Sequence, residues 1–151
     1  MTPRDERRAV PDNPKIYHIT HIKNLPRIIN TGCLWSDVKR IELNIDCDGI
    51  GMGTIKQRRL ALPVNCHPGT TVGQYVPFYF CPRSVMLNII YYRNNPDLTY
   101  RDGQDPIVHL QFDMHAMVSW AESNNNRQWA FSDRNAGAYV VVPEKVVIAH
   151  R

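Results

Sequence analysis

The chain has 151 residues, 43% of them hydrophobic, which suits one domain with a hydrophobic core and excludes a disordered chain. No apolar run reaches the roughly 20 residues that cross a bilayer, so we expect no membrane partner. The net charge is +4, and residues 1–75 carry eleven Lys or Arg against seven Asp or Glu, which favours polyanions as partners or serves solubility alone.

The N-terminus and the cysteines predict a cytoplasmic protein without a metal. Residues 1–8 are charged and lack the apolar segment of a signal peptide. Cys33, Cys47, Cys66 and Cys81 contain no Cys-x-x-Cys pair, so their spacing argues against a zinc site. We therefore expect four reduced thiols in the cytoplasm.

The first elements are a strand and a short helix. Residues 1–14 hold three prolines and predict a flexible lead-in, and we expect residues 15–151 to form a single domain. Residues 16–20 alternate and are β-branched, which predicts a strand. Asn24 is the predicted N-cap of a helix that Gly32 ends, and residues 33–35 lead toward a second strand.

The middle of the chain has two notable segments. Residues 37–74 look irregular and contain three glycines at 49, 51 and 53, a weak signal for a phosphate-binding loop. A connection of this length is more often a functional loop or lid than a spacer. Residues 75–80 then form an aromatic strand, followed by Arg83 and by a helix capped by Ser84.

The aromatic strand suits a ligand with flat rings at both ends and phosphates in the middle. Aromatic faces stack on planar rings, and the arginine fork matches phosphate oxygens. An ordinary core strand followed by a helix stays open as the alternative.

Further along the chain we predict a strand at residues 107–112, a helix capped by Asp113 and a short strand at residues 129–131. Short strands interleaved with short helices indicate an α+β domain.

Six motifs occur in order along the chain: residues 17–20, 24–29 with 32–34, 55–59, 75–80 with 82–87, 103–110 and 131–136. This ordered set resembles the DarT toxins, the DNA ADP-ribosyltransferases of the DarTG toxin–antitoxin systems. The resemblance implies an ADP-ribosyltransferase-like fold, two small twisted sheets around an NAD cleft with short helices. It also implies that NAD is consumed, that ADP-ribose passes to thymidine bases of single-stranded DNA, that no metal takes part, and that an ADP-ribosylglycohydrolase antitoxin is the partner.

The resemblance assigns roles to individual residues. The predicted NAD contacts are His18, Thr20, Asn24, Leu34, Arg58, Tyr75, Phe78 and Tyr79. Arg59 is the predicted catalytic cation, and the predicted DNA contacts are Lys56, Arg83 and Met86. Structural alternatives stay open for several of these residues: a core histidine, a helix cap, a solvated basic pair, a core strand and, for Arg83, a structural ion pair.

The family's catalytic glutamate follows the last motif in a run similar to Arg-Gln-Ala-Glu-Phe-Leu-Val, which this sequence does not contain. Glu144 precedes an apolar β-branched run and is a catalytic candidate, with a solvated strand-edge carboxylate as the alternative. Two interpretations stay open: a DarT-type enzyme in a shortened form, or a catalytically dead or truncated module that binds NAD and single-stranded DNA.

Overall fold

The structure is a computed structural model that describes residues 11–124, 128–132 and 149–150. The predictions for residues 1–10 and for Glu144 lie outside these residues. Within the described part, no helix combines the length and the apolar character needed to span a membrane.

Short helices and short strands are interleaved along the described residues, which confirms the predicted α+β class. In chain order they are β1 Lys15–His21, α1 Leu25–Thr31, α2 Asp37–Glu42, α3 Gly53–Ala61, β2 Tyr75–Val76, α4 Val85–Tyr92, β3 Ile107–Asp113, α5 Met114–Ser123 and β4 Ala149–His150. Two 3₁₀ turns, Ile22–Asn24 and Val72–Gln74, precede α1 and β2.

The strands form two small antiparallel sheets. β1 pairs with β3 along its whole length, with Lys15 opposite Asp113 and His21 opposite Ile107. β2 pairs with β4. The backbones of Tyr17 and Tyr79 exchange two hydrogen bonds of 2.8 Å, so β1 also lies beside the segment that follows β2. This connection brings the middle of β1 next to the aromatic segment.

Local capping signals fix three helix ends where the sequence predicts them. Gly32 has φ 63°, a left-handed conformation that favours glycine, and its N–H donates to the Ile28 carbonyl at the end of α1. The Ser84 hydroxyl accepts from the Leu87 N–H at the start of α4. The Asp113 carboxylate accepts from the Ala116 N–H at 2.8 Å at the start of α5. All three predicted caps are confirmed.

Two apolar clusters hold these elements together. One joins the start of α3 to α4 through Ile50, Met52, Ile90 and Leu98, with Met86 packed against it. The other contains Val64, Val72, Tyr75 and Ala130. Leu98 and Ile90 are 0% and 1% exposed, so the first cluster is a well-packed core. This core supports the sides of α3 and α4 that face β1.

Three predicted elements differ from the structure. Residues 33–36 form no strand, because Ser36 caps α2 by accepting from the Lys39 N–H. Residues 37–74 are not irregular throughout, since they contain α2 and α3. The aromatic strand stops at Val76, because Pro77 has no N–H to donate to a partner strand.

Candidate functional site

One cavity opens where the C-terminal half of β1 meets α1, α3 and α4. Most of the residues that the sequence singled out line it: His18, Thr20, Asn24, Leu34, Lys56, Arg59, Tyr79 and Met86. These residues come from five separate stretches of the chain, and the fold brings them together. Arg58, Tyr75, Phe78 and Arg83 do not line this cavity.

His18 is a neutral hydrogen-bond acceptor in this cavity. Its Nδ1 lies 2.8 Å from the Pro77 carbonyl oxygen, which only accepts, so Nδ1 carries the proton. Burial lowers the pKa of His18 below its usual 6.5, and the hydrogen bond to Pro77 opposes that shift only in part. The imidazole is therefore uncharged at neutral pH, and Nε2 has a lone pair to offer to a ligand hydroxyl.

Thr20 and Asn24 form a buried polar pair beside His18, each 7% exposed. The Asn24 Nδ2 donates to the Thr20 Oγ1 at 3.1 Å and to the Asp48 carbonyl at 3.0 Å. The Asn24 Oδ1 accepts from the Asp48 N–H at 3.0 Å. Because the Thr20 hydroxyl accepts from Asn24, its own proton is the group it can donate to a ligand.

The Asn24 side chain does not cap α1, contrary to the sequence prediction. Asn24 has a right-handed helical backbone at the end of the 3₁₀ turn, and its side chain makes no capping hydrogen bond. The Leu25 N–H donates to the Ile22 carbonyl, so this N–H of the first helical turn already has a partner in the protein. The prediction of an N-cap at Asn24 is therefore wrong.

The charges around the cavity favour an anion. Its lining carries four cations, Arg27, Arg40, Lys56 and Arg59, against the two carboxylates of Asp37 and Asp48. Asp37 lies between two of the cations, with its Oδ1 3.8 Å from Lys56 Nζ and 3.9 Å from Arg40 Nε. The excess of positive charge in a concave surface concentrates negative ligands.

Sequence reasoning missed four of these charged residues. Asp37, Asp48, Arg40 and Arg27 were not singled out, although Asp37 and Arg40 have the i, i+3 spacing of a helical ion pair. The Ser36 cap is the signal that would have found Asp37, because it places this residue in the first turn of α2.

Lys56 lies inside the cavity and was predicted as a DNA contact. Its stem runs along two glycines of the preceding loop: a Cβ built on Gly51 would lie 2.9 Å from Lys56 Cε, and one built on Gly49 would lie 3.5 Å from Lys56 Nζ. Its ammonium group thus lies between this loop and Asp37, a position that suits contact with a ligand in the cavity.

Tyr75 is a core residue and does not wall the cavity as predicted. It is 2% exposed, packs with Val64, Val72 and Ala130, and its hydroxyl lies 2.9 Å from the Thr70 Oγ1. Burial raises the pKa of its hydroxyl. The contact predicted between Tyr75 and a ligand ring is therefore wrong for this cavity.

Phe78 lies behind His18 and lines a second, more apolar cavity with Phe112 and Trp120. Its ring meets the His18 ring edge-on, with centroids 5.8 Å apart. Successive residues of an extended segment point to opposite sides, so Tyr79 reaches the first cavity and Phe78 faces away from it. Phe78 supports the histidine and does not line the first cavity.

Two of the predicted arginines, Arg58 and Arg83, lie outside the cavity, and their positions in the fold explain why. Arg58 and Arg59 are adjacent on α3, and successive helical residues point roughly 100° apart, so only Arg59 reaches the cavity. Arg83 is exposed in the turn before α4.

In the described residues, no group of three or more His, Cys, Asp or Glu side chains has the arrangement of a metal site.

Comparison with known proteins gives consistent matches. The family described as "ssDNA thymidine ADP-ribosyltransferase, DarT" matches residues 17–145. A curated protein of Thermus sp. strain 2.9, named DNA ADP-ribosyl transferase, is 40% identical over 104 residues, which cover 69% of this chain and 47% of the relative. A protein of the same name from Thermus aquaticus is 34% identical over 135 residues, which cover 88% and 55%. The chain spans about half the length of these curated relatives.

Solved structures match the fold as well. Thermus sp. 2.9 DarT in complex with ADP-ribosylated ssDNA superposes with a TM-score of 0.69 at 34% identity, covering 87% of this chain and 57% of that one. The same protein in complex with NAD+ gives a TM-score of 0.63 at 32% identity, with the same coverage. The chain therefore has the ADP-ribosyltransferase fold and belongs to the DarT family.

Proposed function

We propose that this chain binds NAD in the His18 cavity and transfers ADP-ribose from it to thymidine bases of single-stranded DNA. The observation that carries the proposal is the convergence of His18, Thr20 and Arg59 on one cation-rich cavity. Thermus sp. 2.9 DarT, whose match covers 87% of this chain, has been solved both in complex with NAD+ and in complex with ADP-ribosylated ssDNA.

The polar groups of the cavity fit the parts of a dinucleotide. The lone pair on His18 Nε2 accepts from a ribose hydroxyl, and the Thr20 hydroxyl donates its proton to the nicotinamide amide. Arg59 and Lys56 supply the charge that a diphosphate requires, and arginine matches phosphate oxygens through two parallel N–H groups. Tyr79 offers a ring face beside these groups.

Bound NAD supplies a glycosidic bond whose cleavage releases nicotinamide and leaves positive charge on the ribose. The residues of the chain hold and orient the bound NAD. Neutral His18 fixes the ribose without adding charge next to it. Met86, Ile50 and Ile89 belong to the apolar part of the lining, which excludes water from the reacting bond. Arg59 keeps the diphosphate end in place. Glu144 stays the candidate for the carboxylate that receives the proton of the incoming base.

The DNA substrate and the partner follow from charge and from the family. The basic excess of residues 1–75 and the exposed Arg83 support contact with the phosphates of a single strand. Single-stranded DNA avoids the cost of unstacking a base, roughly a few kcal/mol. We place the chain in the cytoplasm, as a toxin whose partner is an ADP-ribosylglycohydrolase antitoxin; the family resemblance supports this pairing.

The test is incubation of the chain with NAD and a short single-stranded oligonucleotide, followed by mass spectrometry of the DNA. The proposal predicts one added ADP-ribose on an oligonucleotide with a single thymidine and none on its thymidine-free twin. Calorimetric titration with NAD runs in parallel. Binding of NAD and DNA without a mass gain would identify a non-catalytic module, and absence of NAD binding would contradict the proposal.

The Glu144→Ala variant adds an arm on the catalytic acid. If Glu144 takes the proton of the base, the variant binds NAD as the parent does and modifies the oligonucleotide at least tenfold more slowly. Modification at the parental rate would remove Glu144 from the mechanism and leave the cavity proposal standing.

A further inference from the structure

We infer that Asn24 is a positioning residue: its side chain fastens the loop of residues 48–51 to the end of β1, and that loop sets the place of Lys56 in the cavity. The sequence assigned Asn24 to NAD itself, so this inference changes how it acts. The role of the loop toward NAD rests on the proposed function, whereas the fastening of the loop does not.

The hydrogen-bonding capacity of the Asn24 amide is fully used inside the protein. Both Nδ2 protons are donated, to the Thr20 hydroxyl and to the Asp48 carbonyl. The Oδ1 accepts from the Asp48 N–H at 3.0 Å and from the Arg27 guanidinium at 3.4 Å. A primary amide offers two donors and one oxygen with two lone pairs, so none remains for NAD.

The pair of bonds to Asp48 is what makes Asn24 a fastener. Asn24 binds both the N–H and the C=O of one residue that lies 24 positions further along the chain. Residues 46–50 belong to no helix or strand, so no backbone ladder holds them. Ile50 anchors the loop on its apolar side, and Asn24 anchors it on its polar side.

The fastened loop in turn confines Lys56. The space between Gly51 and the Lys56 stem is too small for a Cβ, which would lie 2.9 Å from Lys56 Cε. The ammonium group then reaches Asp37, at 3.8 Å. If the loop moved away, the lysine would lose the wall that directs it, and the cation would no longer occupy one position in the cavity.

Two variants test this role, one by changing the loop attachment and the other by displacing the lysine, and a third variant is the matched control. Asn24→Ala removes both amide donors and the amide oxygen without adding a charge to the cavity, so it weakens the loop attachment. Gly51→Ala leaves the attachment intact and displaces the end of the flexible lysine. We expect NAD to bind about tenfold more weakly to each, which is about 1.4 kcal/mol. Gly53→Ala is the control, because a Cβ there meets nothing within 4 Å, and it binds NAD as the parent does.

A double-mutant cycle distinguishes positioning from direct contact. If Asn24 acts through Lys56, then Asn24→Ala combined with Lys56→Met binds NAD within about twofold of Lys56→Met alone, because the two changes remove one effect. Additive losses would overturn the inference and assign Asn24 to the ligand. Parental affinity in both Asn24→Ala and Gly51→Ala would overturn it as well.

Hydrogen exchange without NAD tests the fastener alone. The Asp48 amide donates to Asn24, so it is protected in the parent and exchanges at least tenfold faster in Asn24→Ala, while the amides of α4 keep their rates. Unprotected exchange at Asp48 in the parent would refute the fastener. A parent that shows this protection yet binds no NAD would contradict the proposed function and leave the fastening of the loop confirmed.

Discussion

Substitutions of His18 can separate its structural role from its role in ligand binding, because its two ring nitrogens make different hydrogen bonds. Nδ1 donates to the Pro77 carbonyl, and Nε2 is left as the acceptor for a ligand. An asparagine side chain places its amide nitrogen near the position of Nδ1, and a glutamine side chain reaches the position of Nε2. His18→Asn thus keeps the bond to Pro77 and loses the ligand acceptor, whereas His18→Gln does the reverse.

The two variants are expected to show opposite patterns of loss in NAD affinity and in free energy of unfolding. Loss of one hydrogen bond to a ligand, with its partner left poorly solvated, costs about 1–3 kcal/mol. His18→Asn is therefore expected to bind NAD about tenfold or more weakly, with nearly unchanged free energy of unfolding. His18→Gln leaves the Pro77 carbonyl without its partner, so its free energy of unfolding falls by about 1–3 kcal/mol while NAD affinity falls less.

The assay pairs calorimetric titration with NAD and urea unfolding followed by tryptophan fluorescence. Parental NAD affinity in His18→Asn would refute the ligand role of Nε2. Equal losses of affinity and stability in both variants would show that the ring acts only by packing against Phe78.

The pH dependence of NAD affinity and of stability is a second test of the role of His18. Burial lowers the pKa of the folded-state imidazole below 6.5, so NAD affinity is expected to be flat above pH 6.5 and to fall below it, as the ring gains a proton and Nε2 stops accepting. The unfolded chain protonates first, so the His18 contribution to stability is present above pH 6.5 and declines as the pH falls below that value. An affinity that rises on acidification would contradict the neutral-acceptor role.

Three further predictions test the remaining parts of the account. Arg59→Ala should weaken NAD binding about tenfold or more by calorimetry, since it removes a charge-assisted contact, while Arg58→Ala should leave the titration unchanged because Arg58 does not line the cavity. Ser84→Ala should lower the free energy of unfolding by about 1 kcal/mol in urea through loss of the α4 cap, and the exposed Ser119→Ala should not. Affinity for single-stranded DNA, followed by fluorescence anisotropy, should fall linearly on a logarithmic salt scale with a slope of about −0.7 for each neutralised phosphate; insensitivity to salt would contradict the basic DNA surface.

The sequence predicted best those features that depend on neighbouring residues. The ends of three helices follow from Gly32, Ser84 and Asp113, each of which acts within four residues of its own position. The ordered motifs identified the family, and most of the residues they marked line one cavity.

Features that depend on distant residues were missed. Asp48, which makes two hydrogen bonds with the Asn24 amide, lies 24 residues away, so the local sequence suggested a helix cap and did not indicate the attachment of the loop. The resemblance assigned Tyr75 to a ligand, with a core strand as the alternative, because aromatic residues occur in both cores and pockets; its burial against Val64 and Ala130 decides for the core. The charges of Asp37 and Arg40 became part of the site through the packing of α2 beside α3.

The structure of the NAD complex is the most direct test of the central claim that the His18 cavity holds the dinucleotide. The account predicts NAD in this cavity with a ribose hydroxyl on His18 Nε2, a phosphate oxygen on Arg59, and the Asn24 amide still bound to Asp48. NAD bound elsewhere on the chain, or a cavity filled by the protein's own side chains at saturating NAD, would contradict it.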